Sequence, residues 1–354
     1  MNDDRVGDDR VGDDLTSTLR IHTDELLSDP AIPGTVAVMV RGRDRAVLAS
    51  GRRRRGEPER VRAGTPFALG SITKAFTALL LAEMAARGDV GLRDPIEAHL
   101  PPPAAPRGRP DPPITLLDLA THSGGLPRFP LNMVRRGLPR WISNPYARYR
   151  VEDLHRATAR LRPRRRAVRY STFGVGLLGT LLAGAAGTDY GTLVRQRVLA
   201  PLALHGTGIP GTGTLAAPPA TGHRRGRPVP HWTLDALAGA GALYSTGDDL
   251  LRFLLAQLHP DTTPLADAIR ASQLPRVRYR RSDNDVCLVW NHRVVDTHPL
   301  FWHTGGTGGF TAYIGFAPSL GAGAAVLANS VPTRKNPVLR AGRRLLRRAA
   351  FPDR

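Results

Sequence analysis

Runs with strand character stand at the two ends of this chain. GTVAVMVR (34–41) and RAVLAS (45–50) come first, separated by a short polar turn, and read as a hairpin. VCLVWNHRVV (286–295), FTAYIGF (310–316) and GAAVLA (323–328) come last. Between them, apolar residues recur at helical spacing. The economical solution is one antiparallel sheet made from both ends of the chain, flanked by terminal helices, with a largely helical region inserted. In layer terms the expected fold class is α+β. The expected divisions are an acidic, disordered tail over 1–19, a sheet region over 20–92 and 230–354, and a helical insert over 93–229.

The helices have local signals. Apolar spacing from Ser71 reaches Arg87, and Gly88 suits the C-cap. ITLLDLATHSGGLP (114–127) reads as a short helix ending in a turn, with Ser123 structural in it. Residues 151–161, 170–187 and 190–199 read as helices, and an arginine-rich amphipathic helix covers 338–350. Asp248 or Asp249 would start another helix as a cap, a reading preferred to an acid–base dyad. Segments 101–113, 128–150 and 206–232 read as loops, the places where specificity is expected. The N-terminal DDRVG unit occurs twice, which does not make a repeat fold.

Composition excludes several classes. Cys287 is the one cysteine, so no intramolecular disulfide forms. HExxH and CxxC are absent, and His292, His298 and His303 lack a matching carboxylate at metal spacing, so neither metal nor cofactor is expected. The longest weakly polar run, 173–187, is too short and too glycine-rich for a membrane span. The acidic N-terminus carries no secretory apolar stretch, so the expected location is the cytoplasm. A net charge of +20 raises the question of nucleic acid. The arginines are spread over 52–55, 162–169, 276–281 and 340–348, aromatics are 6%, and no nucleic-acid module is present, which argues against it. No feature indicates an oligomeric state.

One position stands apart. Of 50 Lys and Arg residues, only Lys74 and Lys335 are lysine. Arginine keeps its proton in proteins, whereas a buried lysine can lose it and act as a base. In GSITKAFTALLL (70–81) Ser71 and Lys74 are i and i+3 and share a helix face. A serine hydroxyl is a weak nucleophile until a neighbouring base takes its proton. The plainer alternative is a core helix with a snorkelling lysine. YSTFG (170–174) puts Tyr170 at a helix start, where it is either a half-buried structural residue or a proton relay whose pKa a cation lowers. HTGGTGGF (303–310) is either a glycine-rich turn before an edge strand, a phosphate loop without the Walker pattern, or a backbone N–H source for an oxyanion hole with Ser71.

In this order, S-x-x-K, Y-S-x about 100 residues later and H-T-G after a helical insert resemble the serine β-lactamase and penicillin-binding superfamily. The likeness is to its class C-like branch, with family VIII esterases, D-aminopeptidases and D-alanyl-D-alanine carboxypeptidases, and spans about residues 31–330. FALGSITKAFTALLLAEM, DPIEAHLP, GALYSTGDDLLRF and WHTGGTGGFTAYIGFAP carry it further. The resemblance implies a β-lactamase/transpeptidase-like fold and a serine hydrolase acting on a small acyl substrate without a cofactor. It implies Ser71 as acylated nucleophile, Lys74 as base or proton shuttle and Tyr170 as relay to the leaving group and to the deacylating water. Oxyanion N–H groups would come from Ser71 and Gly306. His303, Thr304 and Gly305 form the third motif beside the substrate.

Two positions depart from the pattern. Thr172 stands where asparagine is expected, which weakens amide recognition. His303 stands where lysine is expected, which removes a fixed charge for a carboxylate. Both favour an ester or small amide over a β-lactam or D-alanyl peptide. Acyl transfer to an alcohol or amine is a further alternative. A catalytically silent binding module is the alternative of another class.

Overall fold

A computed structural model describes residues 6–107, 112–137, 144–162, 168–212, 215, 217–280, 282–331 and 336–352. The chain opens with helix α1 (Val6–Leu27), then strands β1 (Gly34–Arg41), β2 (Asp44–Gly51) and β3 (Phe67–Ala68). Helices follow: α2 (Thr73–Ala86), α3 (Leu116–Ala120), α4 (Leu131–Gly137), α5 (Val151–Ala159), α6 (Thr172–Ala185) and α7 (Tyr190–Val194). A small hairpin β4 (Gly222–Arg224) and β5 (Arg227–Val229), α8 (Ala238–Gly241), β6 (Tyr244–Ser245), α9 (Gly247–Leu258) and α10 (Ala266–Gln273) complete the middle. The chain returns as β7 (Val277–Arg278), β8 (Asp285–Val286), β9 (Asn291–Val295), β10 (His298–Gly306), β11 (Thr311–Ala317), β12 (Ala322–Ala328) and helix α11 (Pro337–Ala350).

The principal sheet has eight strands in the order β2-β1-β12-β11-β10-β9-β8-β7. Every neighbouring pair in it is antiparallel. The two ends of the chain meet where Thr35 pairs with Ala328 and Arg41 with Ala322. This is the α+β sheet expected from both termini. Its central strands β1, β12 and β11 are buried on both faces. Val36, Val38 and Val40 of β1 turn into the main core with Phe76, Leu79 and Phe253, while Ala37 and Met39 face Leu15, Leu19, Leu345 and Leu346. The alternation of a strand thus feeds two apolar layers.

Several expectations are corrected. The tail expected to be disordered over 1–19 is helical from Val6, and residues 1–5 lie outside the described residues. Leu15 and Leu19, one turn apart, are fully buried against the sheet, each burial being worth roughly 1.5–3 kcal/mol. That apolar stripe outweighs the acidic composition. Helix α9 is capped by Thr246, whose hydroxyl accepts from the Asp249 N–H, and not by either aspartate. Strand 286–295 is two strands, interrupted at Val289, where φ is 68°. The loop expected over 206–232 contains β4 and β5, joined by Arg225 and Gly226 with φ of 52° and 73°. Positive φ at both loop residues matches the twist of the paired strands. His303–Gly306 do not form a turn before an edge strand. They end β10, an interior strand between β9 and β11.

Candidate functional site

The site forms where the turn before α2 meets the end of β10. Gly70–Ile72 form one 3₁₀ turn, and α2 follows from Thr73. Gly70 has φ of 51°, and a Cβ there would stand 2.7 Å from the Gly306 nitrogen. A Cβ on Gly305 would stand 1.9 Å from the Leu69 carbonyl oxygen and 3.3 Å from the Ser71 nitrogen. The two backbones approach so closely that only glycine fits on either side. Ser71 is half-buried at this seam, and Gly306 is exposed.

Lys74 is one turn further along and completely buried. Its Nζ lies 2.9 Å from Ser71 Oγ and donates to the Ala240 carbonyl oxygen at 2.7 Å. Burial pushes the lysine well below its ordinary 10.5, and the Arg128 guanidinium adds to the shift. The depressed pKa makes the proton of this ammonium easier to lose, and in its neutral form the amine would still have N–H groups for Ala240 while its lone pair faced Ser71 Oγ.

Tyr170 lies beside this pair, with Lys74 Nζ 5.1 Å from its ring centre and the Arg128 guanidinium carbon 5.7 Å away. The sequence reading allowed for a phenol acidified by a cation. The phenol is instead pushed up to about 12, because burial outweighs the hydrogen bond with Ser71 and the charge of Arg128. Tyr170 therefore keeps its proton near neutral pH.

His303 is buried on β10, its ring 6.2 Å from that of Tyr170. Burial, then the charge of Lys74, lowers it to about 3 against a weaker opposing hydrogen bond with Thr304. The imidazole is neutral, so this position supplies no fixed charge. Thr304 is half-buried on the same strand, paired with Tyr313. Thr172 opens α6, buried, its N–H donating to the Arg128 carbonyl at 3.0 Å.

Two residues at this centre were not singled out from the sequence. Arg128 is exposed, and its carbonyl accepts the N–H groups of both Thr172 and Phe173, fastening the loop to the start of α6. His122 adopts a left-handed backbone (φ 59°) and accepts the Ser171 N–H on Nδ1 at 3.3 Å. Its ring centre is 4.7 Å from that of Tyr170. Burial, Lys74 and His303, in that order, lower it to about 3. His122 lies in 114–127, read as a short helix ending in a turn, and Arg128 begins the 128–150 loop; only the fold brings the two against Tyr170. Ser123 is structural, its hydroxyl donating to Asp118 at 2.8 Å.

Among the described residues no cluster of His, Cys, Asp and Glu could hold a metal ion. No described helix is long and apolar enough to cross a membrane.

Comparison with known proteins identifies a family and several relatives. The family model described as Beta-lactamase matches residues 19–348. The D-alanyl-D-alanine-carboxypeptidase/endopeptidase AmpH of Escherichia coli (strain K12) is 27% identical over 327 residues, covering 88% of this chain and 83% of its own. A protein named Beta-lactamase from Pseudomonas fluorescens is 30% identical over 302 residues, covering 75% of this chain and 79% of its own. Penicillin-binding protein 4 of Amycolatopsis lactamdurans is 26% identical over 329 residues, covering 86% and 83% respectively.

Proposed function

Because the chain belongs to the β-lactamase family, among the serine hydrolases of the β-lactamase and penicillin-binding superfamily, we propose that it hydrolyses an ester or small amide through an acyl-enzyme on Ser71. The observation that carries this reading is the buried Lys74 amine 2.9 Å from Ser71 Oγ, anchored by Ala240.

In this reading Lys74 takes the hydroxyl proton as Ser71 Oγ bonds to the substrate carbonyl carbon. The oxyanion rests against the N–H groups of Ser71 and Gly306, on the seam where Gly70 approaches Gly306 and Gly305 approaches Leu69 and Ser71. Tyr170, which holds its proton, passes it to the leaving group and is recharged from the Lys74 ammonium. A water then gives its proton back along this path as it attacks the acyl carbon, releasing the acid and Ser71. Thr304 and Gly305 line the acyl group in this proposal, with Thr172 and His303 alongside.

The neutral His303 supports an ester or small amide over a carboxylate-bearing β-lactam. One observation favours a second reading. Arg128 keeps a charge at the rim beside Tyr170, and a carboxylate could meet it there. That reading is a β-lactamase or D-alanyl-D-alanine carboxypeptidase, the activities named for the relatives. Measuring kcat/KM for p-nitrophenyl butyrate, nitrocefin and a D-alanyl-D-alanine peptide decides between them. The first proposal expects the ester to be turned over fastest. A β-lactam or peptide turned over faster would replace it with the second.

A further inference from the structure

The outer face of the sheet is not uniformly covered. Helices α1 and α11 close it over β1, β2, β11 and β12, but beyond α11 a groove of about 360 Å³ lies open along β9 and β10. Leu300, Trp302 and Tyr313 line it from the sheet, and Leu346 and Phe351 from α11 and its end. Tyr313 and Leu346 are buried, whereas Leu300 and Trp302 remain half-exposed. Arg293, Arg343 and Arg347 stand on the rim, all exposed. No carboxylate pairs with any of the three among the described residues. Asp296 is the single acidic residue of the lining.

We propose that this groove binds a small amphipathic anion, a medium-chain or aryl carboxylate, with its apolar part on Trp302 and its charge among Arg293, Arg343 and Arg347. An aromatic and aliphatic floor with a few converging polar groups is the usual make-up of a small-ligand site, and the volume falls at the small end of that class. Three cations against one acid select the sign of the ligand. Guanidinium groups also suit a carboxylate geometrically, since they offer it paired N–H donors. The arrangement is separate from the Ser71 centre. Trp302 and His303 are neighbours on β10, but Trp302 faces the groove and His303 faces Tyr170. A ligand on Trp302 therefore packs against the back of the strand that presents His303 and Gly306.

The test is calorimetric titration of the full chain with decanoate below its micellar concentration, alongside decyltrimethylammonium, with hydrogen exchange to locate the ligand. Saturable one-to-one binding of decanoate is expected, with protection gained over 293–302 and 343–351. Arg343→Glu combined with Arg347→Glu should weaken it at least tenfold, while Arg128→Ala leaves it unchanged. Both arginines are exposed, so the double variant is expected to fold, and Trp302→Phe gives an independent check through reduced affinity. No saturable binding, equal binding of the cation, or protection confined to the Ser71 region would overturn the proposal. So would self-association that protects 293–302 before decanoate is added, because a second copy would then be the occupant. None of these outcomes depends on whether Ser71 is acylated.

Discussion

Lys74 Nζ reaches Ser71 Oγ at 2.9 Å from a fully buried position, held there by the Ala240 carbonyl at 2.7 Å. Burial lowers the lysine pKa well below its ordinary value, and Arg128 lowers it further. The same rim arginine thus contributes to the lowering of the lysine pKa.

That link gives a pH prediction. Removing a positive charge near Lys74 makes the ammonium easier to hold, so Arg128→Ala raises the lysine pKa. The acid limb of kcat/KM should move to higher pH in the variant. Arg128 is exposed and its effect is screened by salt. The limb of the wild type should therefore move toward that of the variant as ionic strength rises, and the variant should move less. Profiles at two salt concentrations check this.

The histidines give a stability prediction. His122 and His303 are both lowered to about 3 from the ordinary 6.5. Between those values the unfolded chain binds more protons than the folded one, so stability falls as pH drops from 6.5 toward 3. Lys74 acts in the same direction at higher pH, because its folded pKa is also depressed. Urea midpoints measured from pH 7.5 to 4.5 should decline in the wild type, and the decline should be shallower in His303→Gln. Equal slopes would show that His303 is not held neutral by the fold.

The glycine seam gives a steric prediction. A methyl group on Gly305 meets the Leu69 carbonyl at 1.9 Å, so either β10 or the 70–72 turn must shift. Gly305→Ala should lose roughly 1–3 kcal/mol of stability, the usual cost of overpacking. It should also cut kcat by about a hundredfold or more, the scale of losing one oxyanion donor. Gly184→Ala is the control, since nothing lies within 4 Å of its Cβ position. It should leave activity unchanged and gain a little helix stability.

The readability of this chain from its sequence divides along contact range. The Ser71–Lys74 pair is legible because both residues sit within one turn and lysine is so scarce that its position carries information. The β1–β2 hairpin and its pairing with the C-terminal strands follow from β-branched runs and short turns. The end of strand β10 is obscured because Gly305 and Gly306 lie in a glycine-rich stretch that also reads as a turn, and only the neighbour β11 makes them a strand. The β4–β5 hairpin hides behind Arg225–Gly226, which lacks the usual asparagine or aspartate signal. In α1 the aspartates dominate the composition, although Leu15 and Leu19 decide the fold. Arg128 and His122 enter the site through hydrogen bonds to residues about 45 to 50 positions away, a relation no local pattern records.

The most direct test of the account is a fluorophosphonate adduct, located by mass spectrometry in wild type, Ser71→Ala and Lys74→Arg. The account predicts one adduct, on Ser71. It should be absent from Ser71→Ala and form about 10²- to 10⁴-fold more slowly in Lys74→Arg, the range for losing a general base. Folded wild-type protein that takes no label, or takes it at the same rate with arginine at position 74, would contradict a serine activated by a neutral lysine and would leave a silent binding module as the better description.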